Sequence, residues 1–222
     1  MKFAGTLGYS AVCITTRNAH HLPRNGELYR QQNMQISRRI DLSPSTPTSL
    51  LSNLRRFRGM FDVIAVLCRS KSVARQAAKD HSVDILQFPL HLSRNPFDAA
   101  EAELASGSNA ALEIDAVQLV RAQPITLPHN FTRIRQSIET AKQFDIPIVV
   151  SSGATSVYDL RSPRDLASLI QLLGLSEEQA LNALSETPMA IIQRNRCKRN
   201  KSYVEAGVKI VKERSSHVSS GS

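Results

Sequence analysis

Short apolar runs recur along the first 152 residues, and they alternate with stretches of helical periodicity. Six of the runs are rich in β-branched residues and end in turn residues, which predicts buried strands. The predicted strands lie at Ser10–Thr15, Met34–Ile40, Phe61–Cys68, Val83–Pro89, Ala110–Val120 and Ile146–Ser152. Because buried strands that alternate with helices form parallel β/α units, the pattern predicts an α/β fold, either an open doubly wound sheet or a barrel.

The helix that follows Ser162 has the clearest start and end signals in the chain. Ser162 suits the N-cap and Pro163 the first helical position, and Gly174 suits the end of the helix. A second helix is predicted to begin at Ser176, where a Gln three residues later completes a capping box, and to be interrupted by Pro188.

The predicted carboxyl ends of the strands are rich in arginine and poor in carboxylates. These ends are Thr15–Arg17, Arg39–Asp41, Arg69–Lys71, Pro89–Arg94, Val120–Arg121 and Ser151–Gly153. Functional sites of parallel β/α proteins collect there, and a hydrolase or isomerase needs an acid/base pair or metal ligands. The ends therefore disfavour a metabolic barrel enzyme. No G-x-G-x-x-G follows a strand and no P-loop motif occurs, which disfavours dinucleotide and P-loop sites.

The net charge of +9 is concentrated at the two ends of the chain. Residues 1–75 carry 12 Lys/Arg against 3 Asp/Glu, residues 76–190 carry 8 against 14, and residues 191–222 carry 8 against 2. Basic segments suit a nucleic-acid partner because neutralising phosphates releases counterions, although a solvated basic surface has the same composition. We expect one α/β domain over residues 1–195 and a basic, partly disordered tail over residues 196–222.

Compartment and cofactors follow from the remaining composition. No apolar run approaches the roughly 18 residues that a membrane helix needs, and the amino terminus has no secretory pattern. Cys13, Cys68 and Cys197 are odd in number and lack metal-ligand spacing, which favours reduced thiols. The sequence therefore predicts a cytoplasmic protein that uses no membrane and binds no metal or cofactor itself.

Several segments resemble the ribonuclease P protein component 3 family. They are LGYSAVCIT, FDVIAV, VDIL, ALEI and above all VVSSGATSVYDLRSPRDLASLIQLLGLSEEQAL. Members of this family are the archaeal counterparts of the thirty-kilodalton protein subunit of eukaryotic nuclear RNase P. The resemblance covers about residues 4–211, and SSGA…DLRSPRDL…LLGLSEEQA is its most specific part.

The resemblance implies both a fold and a function. The family adopts an irregular TIM-like α/β barrel that is related to metal phosphoesterases of the polymerase-and-histidinol-phosphatase type. It serves as a non-catalytic protein of the ribonucleoprotein that removes 5′ leaders from precursor tRNA, in which the RNase P RNA holds the catalytic Mg²⁺. Its members pair with a small ferredoxin-like RNase P protein in a heterotetramer. RNase P RNA, precursor tRNA and that small protein are therefore the expected partners.

Two departures from these families shape the expectations. The related phosphoesterases carry a His-x-His motif on the first strand and an Asp-His pair after the second, where this chain has Thr16-Arg17. A metal-dependent phosphoesterase is the alternative function, and this difference disfavours it. Family members also begin with a strand that precedes the first helix, whereas this sequence opens inside that helix. We therefore expect the first strand to be missing and an unpaired edge beside Ala11–Thr15.

The resemblance and the strand ends together predict an RNA-binding surface without catalytic residues. Arg161 and Arg164 match arginines of the family signature and flank a helix amino terminus, where N–H groups and guanidinium groups bind phosphate. The alternative is that Arg161 pairs with Asp159 or Asp165. The other members of the predicted set are Arg94, Arg69, Lys71, Arg121, Arg133, Arg135, Ser151 and Ser152. Each of the charged members also suits a solvated surface position.

Two further basic groups lie outside this set. Arg55, Arg56 and Arg58 cluster at a predicted helix end. The tail carries Arg196, Lys198, Arg199 and Lys201, which either bind RNA electrostatically or are solvated in a disordered segment.

Overall fold

The computed structural model describes residues 2–17, 28–29, 34–90, 97–199, 203–205 and 208–209. The strands are β1 Ala11–Thr15, β2 Leu28–Tyr29, β3 Met34–Leu42, β4 Val63–Leu67, β5 Ile85–Gln87, β6 Ala111–Asp115, β7 Ile148–Ser151, β8 Tyr203–Glu205 and β9 Val208–Lys209. The helices are α1 Lys2–Thr6, α2 Pro47–Phe57, α3 Lys71–Lys79, α4 Ala99–Ser106, α5 Val117–Val120, α6 Leu127–Gln143, α7 Pro163–Gln171, α8 Glu177–Leu184 and α9 Glu186–Lys198, with a 3₁₀ turn at Val157–Asp159. Within the described residues, no helix is long and apolar enough to cross a bilayer.

Six parallel strands form a curled half-barrel in the order β1-β3-β4-β5-β6-β7, and helices flank it. The short β2 adds an antiparallel pairing at the start of β3. All six predicted strands are present, and the predicted α/β class of parallel units is confirmed. In the described part of the chain β1 is a terminal strand of the sheet, and the missing first strand stays a prediction.

The two faces of the sheet are covered by different elements because strand side chains alternate between faces. On β4, Ile64 and Val66 belong to the large apolar core beneath the outer helices. Their neighbours Val63 and Ala65 face the concave side, where Ile191 of α9 packs against them. Helix α9 therefore fills part of the concave face, towards the amino-terminal ends of the strands.

The predicted helix caps are confirmed. The Ser162 hydroxyl accepts a hydrogen bond from the backbone N–H of Asp165 at 3.2 Å, and Pro163 occupies the first position of α7. Ser176 accepts in the same way at the start of α8. Gly174 has φ +106°, a conformation that favours glycine, and it follows the last turn of α7.

Two predicted boundaries are wrong. The strand predicted to continue to Val120 ends at Asp115, and the next residues turn into the short helix α5. Pro188 does not interrupt a helix but lies in the first turn of α9, where its missing N–H breaks no intrahelical bond. Helix α9 continues past residue 195, and the division into barrel and tail stays a prediction.

Candidate functional site

An ion cluster lies on the concave face, near the carboxyl ends of the strands. Alternation places Arg39 and Asp41 of β3 on the same face as Glu113 of β6. Arg39 donates two parallel hydrogen bonds to Glu113, from Nη1 to Oε1 at 2.5 Å and from Nη2 to Oε2 at 2.6 Å. Its Nε donates to Asp41 Oδ1 at 2.6 Å. The Glu113 side chain is fully buried, so Arg39 supplies the positive charge that this carboxylate needs.

Burial and neighbouring charges set the protonation states of this cluster. Burial opposes the charge on Arg39, but attraction to Glu113 and hydrogen bonds to it raise the pKa of the guanidinium above its usual range. Burial, and next the negative charge of Glu113, raise the pKa of Asp115 to about 6. The N–H of Val117, at 3.2 Å from Asp115 Oδ1, opposes that rise. Arg39 thus stays protonated, while the pKa of Asp115 lies at about 6.

The loop after β7 rests directly on Asp115. Gly153 has φ +57°, and a Cβ atom at this position would lie 1.8 Å from Asp115 Oδ1 and 2.8 Å from a methyl group of Val117. Only a residue without a side chain fits there. The SSGA segment of the sequence is therefore fixed against the concave ion cluster.

This cluster is arranged for structure rather than for metal binding. Arg39 engages both oxygens of Glu113, so a cation could bind that carboxylate only by displacing the guanidinium group. Among the described residues, no group of three or more His, Cys, Asp or Glu side chains is placed to hold a metal ion. The cavity beside Glu113 and Asp115 has a volume of about 30 Å³, which holds a few water molecules at most.

The sequence prediction missed the carboxylates of β6. It assigned Val120 and Arg121 to the carboxyl end of this strand, whereas the strand ends at Asp115. The expected scarcity of carboxylates at the strand ends was wrong for that reason. The alternation in ALEID, which puts Glu113 and Asp115 on one face of a buried strand, was the available signal.

Arg121 holds the loop between β7 and α7. Its Nε and Nη2 donate to the two oxygens of Asp159 at 2.8 and 2.6 Å, and Nη2 also donates to Thr155 Oγ1 at 3.1 Å. Burial opposes ionisation of Asp159, but hydrogen bonds from Ser156 and Arg121 hold its pKa at about 2. Arg121 is therefore occupied by an intramolecular partner.

Arg161 and Arg164 lie in the same loop and differ in their partners. Arg161 Nη1 donates to two backbone carbonyls of its own loop at 2.8 and 2.9 Å. Neither expected ion pair of Arg161 forms, because Asp159 pairs with Arg121 and Asp165 accepts from the Ser162 backbone. Arg164 is exposed in the first turn of α7, and no described group forms a hydrogen bond or ion pair with it.

The remaining predicted residues are dispersed. Lys71 pairs with Asp98 and, at 2.8 Å, with Glu101, whereas Arg69 is exposed at the end of β4. Arg133 is only 8% exposed and donates to the Leu90 carbonyl at 2.7 Å, so the expected solvated position for this residue is wrong.

Three other members of the set form hydrogen bonds within the protein. Arg135 donates to the Leu172 carbonyl at 2.9 Å, the Ser152 hydroxyl accepts from the Ala154 N–H at 3.4 Å, and the Ser151 carbonyl accepts from the Ala116 N–H at 2.9 Å. Arg94 lies outside the described residues. The structure thus gathers Ser151, Ser152, Arg121, Arg161 and Arg164 around the end of β7. RNA binding by the set stays a prediction.

A second ion cluster lies at the opposite ends of the strands, where the sequence predicted no site. Asp62 and Asp84 precede β4 and β5, and both carboxylates are almost fully buried. Five arginines surround them, which we call the amino-end arginine cluster: Arg38, Arg58, Arg194, Arg196 and Arg199. The first two come from the basic start of the chain and the other three from its basic end. The fold therefore brings the two basic segments of the sequence together.

Helix α9 supplies most contacts of this cluster. Arg58 Nη1 and Arg194 Nη2 reach Asp84 at 2.6 and 3.1 Å, and Asn195 Nδ2 donates to Asp84 Oδ1 at 2.7 Å. Arg196 lies 3.7 Å from Asp62, which also pairs with Arg199. Arg196 and Arg199, expected in a tail, are therefore packed against the sheet.

The chain is similar over most of its length to proteins of one known family. The family model described as RNase P subunit p30 matches residues 1–200. The chain is 28% identical to the ribonuclease P protein component 3 of Methanococcoides burtonii, over 95% of this chain and 86% of that protein. It is 29% identical to the protein of the same name from Methanosarcina barkeri, over 93% of this chain and 86% of that protein.

A solved structure has the same fold. A chain in the cryo-EM structure of archaeal ribonuclease P with mature tRNA superposes with a TM-score of 0.79. It is 22% identical, and the match covers 96% of this chain and 93% of that chain.

Proposed function

Because the chain belongs to the RNase P subunit p30 family, we propose that it is a protein subunit of ribonuclease P and supports removal of 5′ leaders from precursor tRNA. The match of the family model over residues 1–200 carries this proposal. The relatives named ribonuclease P protein component 3 and the shared fold with a chain of an archaeal ribonuclease P support it.

The chain acts as part of the holoenzyme rather than as a nuclease by itself. The catalytic Mg²⁺ ions belong to the RNase P RNA, and the protein stabilises the active RNA fold by contacts with phosphates. The predicted phosphate contacts at the carboxyl ends of the strands are exposed cations near the ends of β4 and β7, foremost Arg69 and Arg164. A small ferredoxin-like RNase P protein completes a heterotetramer with this chain, and the assembly works in the cytoplasm.

The concave ion cluster argues against the alternative, a metal-dependent phosphoesterase. Such an enzyme needs carboxylates and histidines with free oxygens or nitrogens for its metal ions. Here Glu113 is bonded through both oxygens to Arg39, whose third donor engages Asp41. A metal ion could bind the Glu113 carboxylate only by displacing the buried guanidinium of Arg39, which would leave that buried charge without its partner.

The test is cleavage of a precursor tRNA at limiting Mg²⁺ by the RNase P RNA and the other protein subunits, with and without this chain. We expect the chain to raise the cleavage rate only when the RNA is present. The matched control is the chain alone with the same substrate and metal. Hydrolysis by the chain alone that chelation abolishes would overturn the proposal in favour of the phosphoesterase.

A further inference from the structure

The amino-end arginine cluster holds more positive charge than its carboxylates neutralise. Apart from Arg38, four guanidinium groups surround two aspartates, so among the described residues of the cluster two positive charges remain without a carboxylate. Lys198 adds to the imbalance. Burial, and next the positive charge of Arg194, lower the pKa of this lysine, although Asp84 opposes the change. The cluster thus has an excess of positive potential that favours an anion.

Several donors of the cluster also lack an acceptor. The Nε atoms of Arg194, Arg196 and Arg199 are buried, and within the described part of the chain no acceptor lies in hydrogen-bonding distance of them. A buried donor without an acceptor destabilises the folded protein. The Nε atom of Arg39 differs, because it donates to Asp41 at 2.6 Å. The amino-end arginine cluster therefore combines excess positive charge with guanidinium groups whose hydrogen-bonding capacity is not used up inside the protein.

The cluster is open enough for a ligand to reach it. The side chains of Arg58, Arg194, Arg196 and Arg199 are 21–29% exposed, compared with 9% for Arg39. An arginine side chain that is about three-quarters buried and held by an aspartate loses little freedom when it binds an oxyanion. This is why arginine suits phosphate recognition at fixed positions.

We propose that the amino-end arginine cluster binds phosphate groups of an RNA backbone. The inference rests on the proposed function, which supplies the RNA, and it adds a contact surface opposite the strand ends that the sequence predicted. Helix α9 brings Arg194, Arg196 and Arg199 to this surface, and Asp62 and Asp84 hold the arginines in place. Phosphate contacts at this surface fix the orientation of the barrel on the RNA without reading its sequence.

The first test observes the arginine Nε–H groups of the wild-type full chain by NMR while RNase P RNA is added. Arg→Lys variants at positions 194, 196 and 199 assign the resonances because they keep the charge. We expect the three Nε–H resonances to shift and that of Arg39, already bonded to Asp41, to stay unchanged. RNA binding that leaves all three resonances unchanged would overturn the proposal.

A parallel titration with inorganic pyrophosphate separates the two sources of phosphate. A response to both ligands supports an RNA-backbone site, because the recognised group is the same. A response to pyrophosphate but not to RNA would make this a site for a free phosphate compound, and the RNA proposal would be wrong.

The second test measures the salt dependence of RNA binding by the variant R194Q/R196Q. This pair leaves Arg58 on Asp84 and Arg199 on Asp62, so each buried carboxylate keeps an arginine. We expect the slope of log K against log salt to fall by about 0.7–0.9 for each phosphate that the variant no longer binds. R194K/R196K should keep the wild-type slope. K79Q/K142Q, which removes two exposed charges of α3 and α6, should change it little.

The outcomes of the two proposals are distinguishable. If the chain stimulates precursor tRNA cleavage and R194Q/R196Q keeps the wild-type slope, this inference fails and the proposed function stands. If the wild-type chain neither binds RNase P RNA nor stimulates cleavage, both fail. If R194Q/R196Q does not fold, the wild-type NMR titration alone decides.

Discussion

The guanidinium group of Arg39 and the carboxylate of Glu113 are joined by two parallel hydrogen bonds, of 2.5 and 2.6 Å, across the concave face of the sheet. The two residues belong to β3 and β6, which β4 and β5 separate. The pair therefore connects the outer two of four neighbouring strands. Burial makes each charge depend on the other, because neither is hydrated.

Removing one member of this pair should destabilise the fold. We expect Glu113→Ala to lower the free energy of unfolding by about 3–5 kcal/mol, because Arg39 stays buried with one carboxylate partner fewer. The double variant Arg39→Met/Glu113→Leu should lose much less than the sum of its single variants, since no buried charge is left alone. Urea denaturation of the three variants and the wild type measures this. Additive losses would show that the two charges do not depend on each other.

The pKa of Asp115 predicts how stability depends on pH. Its folded-state pKa of about 6 lies above the usual 3.8, so the folded protein binds the proton more tightly than the unfolded chain. Stability from this group is therefore present at low pH and falls as the pH rises from about 4 to 6. Asp115→Asn should remove that fall and raise the free energy of unfolding at pH 7.5 by up to about 3 kcal/mol.

Denaturation at pH 4.5 and 7.5 measures the effect of Asp115→Asn. The matched control is Glu139→Gln, which removes an exposed carboxylate of α6 and should leave the pH profile of unfolding unchanged. If Asp115→Asn destabilises the protein equally at both pH values, Asp115 is ionised in the folded state and its burial is tolerated.

The sheet could be predicted from sequence because strands of a parallel sheet are buried on both faces and therefore appear as short apolar runs. The six runs identified the six strands, and local hydroxyl and proline signals identified the start of α7. The end of β6 was wrong because Val117, Leu119 and Val120 are also apolar. A short, partly buried helix can have the same composition as a strand, and only tertiary contacts distinguish them.

The ion clusters were harder to predict for a different reason. Arg196 and Arg199 lie in a basic segment whose composition is typical of a solvated tail. Their position depends on Asp62 and on α9 packing into the concave face, which bring together residues more than 130 positions apart. Residue type and spacing along the chain do not predict such long-range pairing. A buried aspartate directly before each of two strands was the only local indication that cations had to lie nearby.

Gly153 should tolerate no side chain. Gly153→Ala combines φ +57° with a Cβ atom 1.8 Å from Asp115 Oδ1, so we expect a loss of about 2 kcal/mol or more in the free energy of unfolding. Gly174→Ala meets no neighbouring atom and should lose only about 1 kcal/mol from its φ of +106°. Gly59→Ala has open space and no such φ, and it should be neutral or stabilising by about 0.5 kcal/mol. Thermal or urea denaturation ranks the three variants, and equal losses would show that the contact with Asp115 does not matter.

Arg121 and Arg164 should separate structure from RNA contact in the loop after β7. Arg164 is exposed and has no described partner, so Arg164→Gln should leave the unfolding midpoint unchanged. If Arg164 contacts a phosphate, the variant should reduce the salt slope of RNA binding by about 0.7–0.9. Arg121 is bonded to both oxygens of Asp159, so Arg121→Gln should lower the unfolding midpoint.

Filter binding across a salt series, together with thermal unfolding of the same samples, compares Arg121→Gln and Arg164→Gln. Arg121→Lys is the control for charge, because it keeps the cation but cannot form the two parallel bonds to Asp159. Its salt slope should equal that of the wild type while its unfolding midpoint stays lowered. A full wild-type slope in Arg164→Gln would assign Arg164 to the solvated surface, and RNA contact would then fall to the remaining cations at the strand ends and to the amino-end arginine cluster.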